Sequence, residues 1–360
     1  MKSTTHLIRL ACLVSATAGL VACGGGGSAA TESTNSGSNN NSAQVAVLPD
    51  GSVVNSIPSD ILVQIPASTY AAGSQEQLVF KFLNAERIRC GFGALRHAPQ
   101  LDASAMAHAN WGVLNQQLSH LELASTYPNG FTGATLTDRA RFHGYDSQSL
   151  GEVFSGFTNM PASASEGITS MRLLLNAPYH MVFMTAPYRD MGVGVKRIAD
   201  VGKSSGFDLV MTEFGVLQQD SFQDLATDAV ATYPCEGTTG VAYSLNNEDP
   251  NPIPGRDLST KPLGSSIIFR VRRGQKLNID AISVVETATG TAVGLRRHVG
   301  GNGNEDSTYK DFDASVAYVA AESPMKPNTS YTVKVNGSND GASFSKQFTF
   351  QTGDIYLPSF

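Results

Sequence analysis

The sequence is poor in charge and in cysteine, holds a single tryptophan, and contains no apolar run long enough to cross a bilayer as a helix. Only 16% of its 360 residues are charged, against about 25% in an ordinary soluble domain. Basic residues are the scarcer sign, 25 against 31 acids, and they form no Lys/Arg-rich run. That excludes a nucleic-acid binder whose affinity rests on neutralising phosphates. The longest apolar stretch, residues 10–22, has 13 residues, short of the ~20 that a spanning helix needs. Common catalytic signatures are missing too: no Gly-x-Ser-x-Gly elbow, no His-Glu-x-x-His, no Walker loop, and no Gly-x-Gly-x-x-Gly after a strand. With 41% hydrophobic residues the chain still has enough to bury, and its length suits roughly two domains.

What stands at the N-terminus reads as an export signal. Lys2 and Arg9 lead into the apolar stretch, which has the length of a signal-peptide core. It ends Leu20-Val21-Ala22-Cys23 and runs into four glycines, which resembles a bacterial lipobox. Residues 1–22 are therefore expected to be a lipoprotein signal peptide and Cys23 the lipid-attachment residue. The protein would be anchored in the cell envelope, and Gly24 in place of a retention Asp points by analogy to the outer membrane. Residues 24–44 are Gly, Ser, Asn and Thr with almost nothing to bury, the composition of a flexible tether. Residues 23–73 thus read as lipidated Cys, tether and connector. Losing residues 1–22 removes two bases and no acid, leaving a net charge of −8. Cys12 leaves with the signal and Cys23 carries lipid, so Cys90 and Cys235 remain. In an oxidising compartment these two can form one disulfide, provided their Cα atoms come within bridging distance, which sequence leaves open.

From residue 74 to about 217 the texture is helical and then strand-like. Ser74 with Gln77 suggests a capping box, followed by Val79, Phe82 and Leu83 on one face and Gly91 as the stop. A second helix is predicted over about 101–118, on the spacing of Ala107, Trp111, Leu114 and Leu118. Thr135 with Asp138 opens a third helix that Gly144 closes, and Ser163 with Glu166 opens a fourth that Pro178 ends. Residues 191–195 and 207–217 read as strands. Helices mixed with a few strands, without βαβ periodicity, predict an α+β body in three α/β/α layers over residues 74–232. Beyond Tyr233, short strand-like runs with polar turns predict an all-β sandwich over residues 233–360. There Tyr331, Val333 and Val335 alternate, Phe344, Phe348 and Phe350 share a face, and residues 337–341 read as the turn between them. Residues 327–333 and 348–353 resemble bacterial immunoglobulin-like modules.

A set of His and Glu residues in the helical body carries whatever chemistry there is. His120 lies in Leu118-Ser119-His120-Leu121, Glu152 in Gly151-Glu152-Val153-Phe154, His180 in Asn176-Ala177-Pro178-Tyr179-His180, and Glu213 in Glu213-Phe214-Gly215. Around them stand Asn84 to Arg87, Thr137-Asp138-Arg139-Ala140-Arg141, Gly144-Tyr145 and Met191-Gly192-Val193-Gly194-Val195. This order resembles the CAP superfamily (cysteine-rich secretory, antigen 5 and pathogenesis-related 1 proteins; the SCP-like domain) in its bacterial form, over residues 75–217. The resemblance implies a three-layer sandwich with a central cavity lined by two His and usually two acids. By position His120 matches the first His, Glu152 the Glu of the Gly-Glu-Asn motif, and His180 the second His. Val153 in place of Asn, Leu174 in place of Trp, and Tyr179-His180-Met181 in place of Gly-His-Arg depart from the family at the cavity's rim.

Glu213 joins the set through its strand phase. It shares a period-two face with Leu209, Met211 and Leu217, and an acid in an apolar phase is costly unless paired or at a metal. A place at the cavity explains it, and a salt bridge to Arg139 or Arg141 explains it equally. A His after a helix end also gains from the helix dipole without binding anything. His97, His108 and His143 read as surface or partly buried structural residues, and Arg139 as a partner to an acid or to helix C-terminal carbonyls. The Gly-Asn-Gly-Asn-Glu-Asp run at 301–306 misses the EF-hand spacing and reads as a solvated loop.

Two functions follow. One is an extracytoplasmic binding or interaction module whose His/Glu cavity takes a small ligand, a lipid or a divalent metal such as Zn²⁺, with the sandwich as spacer. The other is a metal-assisted, peptidase-like hydrolase acting on an envelope substrate. With no nucleophile in a recognised context, binding is favoured over catalysis. A third is a surface adhesin with a vestigial cavity. The expected partners are the membrane, through the lipid anchor, and a lipid, small molecule or envelope component, with no nucleic acid.

Overall fold

In chain order the elements are β1 (Leu10–Leu13), β2 (Gln44–Val47), β3 (Val53–Ile57), α1 (Gln75–Arg89), β4 (Arg96–His97), α2 (Pro99–Asn115), α3 (Leu136–Phe142) and β5 (Ser147–Phe157). There follow α4 (Glu166–Leu174), α5 (Pro178–Met184), β6 (Asp190–Lys196), β7 (Asp208–Leu217), β8 (Ala231–Tyr233), β9 (Ser266–Arg270), β10 (Leu277–Glu286), β11 (Val299–Gly300), β12 (Val316–Ala320), β13 (Ser330–Asn339) and β14 (Ala342–Gln351). The structure, a computed structural model, describes residues 10–13, 44–47, 53–57, 61–158, 165–296, 299–300 and 313–355. Cys23 and the 301–306 run lie outside the described residues. Among those described, no helix is long and apolar enough to cross a membrane.

The helix ends follow local chemistry. Ser74 Oγ accepts the Gln77 N–H at 3.2 Å, while the Gln77 side chain reaches back to the Gly73 N–H rather than to Ser74. Thr135 and Asp138 make both arms of a capping box at α3. α4 has Ser165 at its N-cap, and Ser163 lies outside the described residues. Two readings need correction. Gln116 stops α2 at φ 54°, so Leu118 lies beyond the helix; Trp111 is buried as expected, and Leu101, Ser104, Ala105, His108, Ala109, Gly112 and Val113 are buried with it. Pro178 opens α5 at its first position, where a fixed φ and a missing N–H cost nothing. His180 therefore sits in the first turn of a fifth helix and does not trail the fourth.

The first body is built on a sheet of order β1-β5-β7-β6-β4. β5, β7 and β6 are antiparallel neighbours, and β4 joins β6 in parallel. β5 is an element the sequence reading missed: its two internal glycines dilute the strand signal, and burial on both faces from Leu150 onward removes any alternation. One face of the sheet, through Phe154, Leu209 and Met211, packs on Ala105, Ala109 and Val113 of α2. The opposite face, through Val153, Val210 and Phe214, packs on α1, α4 and α5 by way of Leu83, Met171, Met181 and Met184. α2 lies directly on β6 at its two glycines. A Cβ at Gly192 would stand 2.2 Å from the Leu101 carbonyl carbon, and one at Gly194 2.4 Å from the Met106 nitrogen.

The second body is a pair of antiparallel sheets, β10-β13-β14 and β8-β9-β12-β11. Val333, Val335, Phe348 and Phe350 meet Ile267, Phe269 and Val319 between them. β13 and β14 are joined by a two-residue turn at Asp340–Gly341 with φ 47° and 83°, both left-handed as such a hairpin demands. Gly337 consequently belongs to β13 and not to the turn. The bodies share one core: Ile268, Val316 and Ala320 pack in the same cluster as α1, α4 and α5. Across the junction Asn176 Oδ1 accepts the Ser266 N–H and its Nδ2 donates to Ser244 O. Cys90 and Cys235 are bridged, with Cα atoms 5.5 Å apart. β8 also places the start of the β body two residues before the expected boundary.

Candidate functional site

Four elements converge on the α2 side of the sheet. β5 and β7 pair Glu152 directly opposite Glu213, α2 lays Ser104 and His108 above them, the chain after α2 brings in His120, and α3 supplies Arg139. His120 Nδ1 lies 2.7 Å from Glu152 Oε1. Arg139 Nη2 donates to Glu152 Oε2 at 2.7 Å, and its Nη1 donates to the His120 carbonyl at 3.1 Å. Ser104 Oγ donates to Glu213 Oε1 at 2.9 Å. His108 Nδ1 lies 2.9 Å from Glu122 Oε1 and its Nε2 2.9 Å from Ser119 O. Glu122 in turn accepts the Thr132 N–H at 2.7 Å, which pins the long loop between α2 and α3.

The hydrogen-bond partners fix where the protons are. Both His108 nitrogens lie within hydrogen-bond distance of an oxygen, Glu122 Oε1 and Ser119 O. The ring stacks on Trp111 with centroids 5.6 Å apart and an interplanar angle of 6°. Burial alone would raise the Glu152 carboxyl, but Arg139, His108 and the His120 hydrogen bond together hold it well below the usual carboxylate range. Glu213 goes the other way. Burial first, and then the Glu152 charge, push it well above that range, despite Arg139 and the Ser104 bond. The cluster thus sets Arg139 on the depressed Glu152 carboxylate, beside a Glu213 carboxyl pushed toward its protonated form. Because Glu152 is ionised and only accepts, Nδ1 of His120 carries the hydrogen. With that hydrogen on Nδ1, a ring carrying one proton keeps its lone pair on Nε2. That atom is buried with no hydrogen-bond partner, although the residue is only 5% exposed.

Of the four residues expected to share a cavity, three are together and one is not. His180 belongs to α5, on the opposite face of the sheet from Glu152 and Glu213, where its Nδ1 lies 3.1 Å from Glu248 Oε1. Burial raises the Glu248 carboxyl, and the contacts with His180 and the Tyr179 N–H only partly offset this. The physical reason is the Pro178 helix start, which puts His180 in the first turn of α5, a helix packed against β5 and β9. His120, Glu152 and Glu213 lie together on the α2 side of the sheet, while His180 lies apart from them in α5. Among the described residues no three His, Cys, Asp or Glu side chains are placed to hold a metal.

Arg139 is a partner to an acid, as expected of it, but the carbonyl it meets is that of His120 in the loop after α2 and not one at a helix C-terminus. His108 and Glu122 are the residues that sequence reasoning missed. The signal for His108 was its place on the stripe Leu101, Ser104, Ala105, His108, Ala109, Gly112, hidden because three of the six are not apolar. Glu122 lies in an irregular loop and gave no periodic signal.

No family model matches the sequence, and no curated protein matches it. Among solved structures, the chain is similar to an extracellular protein containing an SCP domain from Bacillus anthracis, at 22% identity and a TM-score of 0.31, over 39% of this chain and 40% of that one. The chain thus spans less than half the length of that protein. It is also similar to an outer surface protein of Borrelia burgdorferi, at 13% identity and a TM-score of 0.33, over 42% of this chain and 100% of that one.

Proposed function

We propose that this chain is an exported binding module of the CAP type whose ligand meets Nε2 of His120. The observation that carries the reading is the buried, unpartnered Nε2 on a ring held by an ionised carboxylate. A carboxylate on Nδ1 fixes the tautomer and raises the basicity of the other nitrogen. The ligand it suits is an uncharged one that brings a hydrogen-bond donor. The Cys90–Cys235 disulfide supports placement outside the reducing cytosol, and the N-terminal residues up to Cys23 support export and lipid tethering to the envelope. The test is native mass spectrometry of the protein released from its membrane, comparing wild type with His120→Phe. The reading predicts a bound species in wild type that is lost in the variant. Equal occupancy in both, or none in either, would contradict it.

A further inference from the structure

β5 lies at the edge of its sheet except where β1 covers it. On one side it pairs with β7 along its whole length. On the other, among the described residues, β1 alone pairs with it, antiparallel, with Leu13 opposite Glu152, Cys12 opposite Val153, Ala11 opposite Phe154 and Leu10 opposite Ser155. β1 falls inside residues 1–22, the segment proposed to be cut away on export. Once it is gone, the outward N–H and C=O groups of Glu152 to Ser155 lose their partners. Between Glu152 and Ser155, β5 has no Lys, Arg or Pro and no bulge, and its one charge, Glu152, is buried.

We infer that in the mature chain this edge takes an extended, uncharged peptide strand from a partner protein, bound antiparallel by main-chain hydrogen bonds. The chain's own Leu10-Ala11-Cys12-Leu13 shows what the seat accepts: four extended, uncharged residues, in antiparallel register, with α5 alongside. Strand addition of this kind draws its affinity from the ladder and its selectivity from alternate side chains. Directly opposed residues share a face, so the peptide residue opposite Glu152 lies on the face that carries His120. The inference deepens the binding reading above and rests on removal of residues 1–22, so the same site would receive a peptide whose side chain at that position donates a hydrogen bond.

The test uses the mature protein recovered from membranes, with its N-terminus checked by mass spectrometry. The probe is an N-acetylated fluorescent peptide of residues 10–15 carrying Cys12→Ser, followed by anisotropy. Two derivatives are N-methylated at alternate residues, one at positions 10 and 12, the other at 11 and 13. Only one set points its amides at β5, so one derivative is expected to bind about tenfold more weakly and the other within about twofold of the parent. Peptide addition is also expected to slow hydrogen exchange at Glu152–Ser155. Absence of binding, equal effects of the two derivatives, or a mature chain that retains residues 10–13 would each overturn the inference. A third peptide with Leu13→Asn separates the two readings. Tighter binding that His120→Phe abolishes supports both, while the alternate N-methyl pattern without any His120 dependence leaves the edge standing and removes His120 as the ligand contact.

Discussion

Replacing Glu152 with Gln tests the charge arrangement at the centre of the site. Arg139 is fully buried, and Glu152 is its one carboxylate partner among the ion pairs of the described residues. The amide keeps the shape but removes the charge, and its NH₂ must face either Arg139 or His120, both of which donate. A lost hydrogen bond to a charged group costs about 1.5–3 kcal/mol, and a buried ion left without its partner costs about 3–5 kcal/mol. These overlap, so the expected loss is about 3–5 kcal/mol, a fall in Tm of about 6–20 °C for a body of this size. The assay is guanidinium denaturation near neutral pH, with an unchanged m-value as the check that the same surface unfolds. The pH dependence carries a second signature. The folded Glu152 carboxyl is depressed, so its contribution is present above the unfolded value of about 4.3 and is lost as pH falls through the lower folded one. Glu152→Gln should lack that acid limb. Adding Arg139→Met to the variant removes the stranded charge and should recover much of the loss. A cost below about 1 kcal/mol would refute the reasoning, because it would mean that the pair is solvated and worth no more than a surface one.

Glu213→Gln should behave oppositely. The folded carboxyl is raised and holds a proton that the unfolded chain releases, so wild-type stability falls as pH rises from about 4.3 through the folded value, by at most about 1.4 kcal/mol per pH unit. The amide mimics the protonated acid, and thermal melts from pH 5 to 8 should show a flatter slope, whereas an unchanged slope would place the proton elsewhere. Gly192→Ala inserts a methyl 2.2 Å from the α2 backbone, so α2 must lift from the sheet. A loss of about 1–3 kcal/mol is expected, read by urea denaturation, and a neutral effect would mean that the contact is slack. Cys23→Ser should leave the protein in the soluble fraction after cell breakage, whereas full retention in membranes would exclude Cys23 as the anchor.

Much of the architecture was legible because its signals are local. Thr135 with Asp138 and Ser74 with Gln77 mark helix starts through side-chain chemistry that needs no tertiary contact. Alternation in β13 survives because one of its faces meets solvent, whereas β5 and β7 are buried on both and show none. The site was half legible. Glu213's phase with Leu209 and Met211 gave its face correctly, since a period of two is set by the strand itself. His180 was misplaced because Pro178 reads both as a stop and as a first helical residue, and only packing decides which. His108 was overlooked because its partner Glu122 arrives from a loop 14 residues away, and no periodicity announces that.

The direct test of the central claim is the protonation pattern of His120, read from the long-range ¹⁵N–¹H spectrum of ring-labelled protein at about pH 8, where an ordinary imidazole is neutral. Assignment comes from His120→Phe. With Glu152 ionised and bonded to Nδ1, the account predicts the hydrogen on Nδ1 and a bare, unprotonated Nε2 whose shift moves when ligand binds. A hydrogen on Nε2 with Nδ1 bare would contradict it, since Glu152 would then have no donor to accept and Nε2 no lone pair to offer.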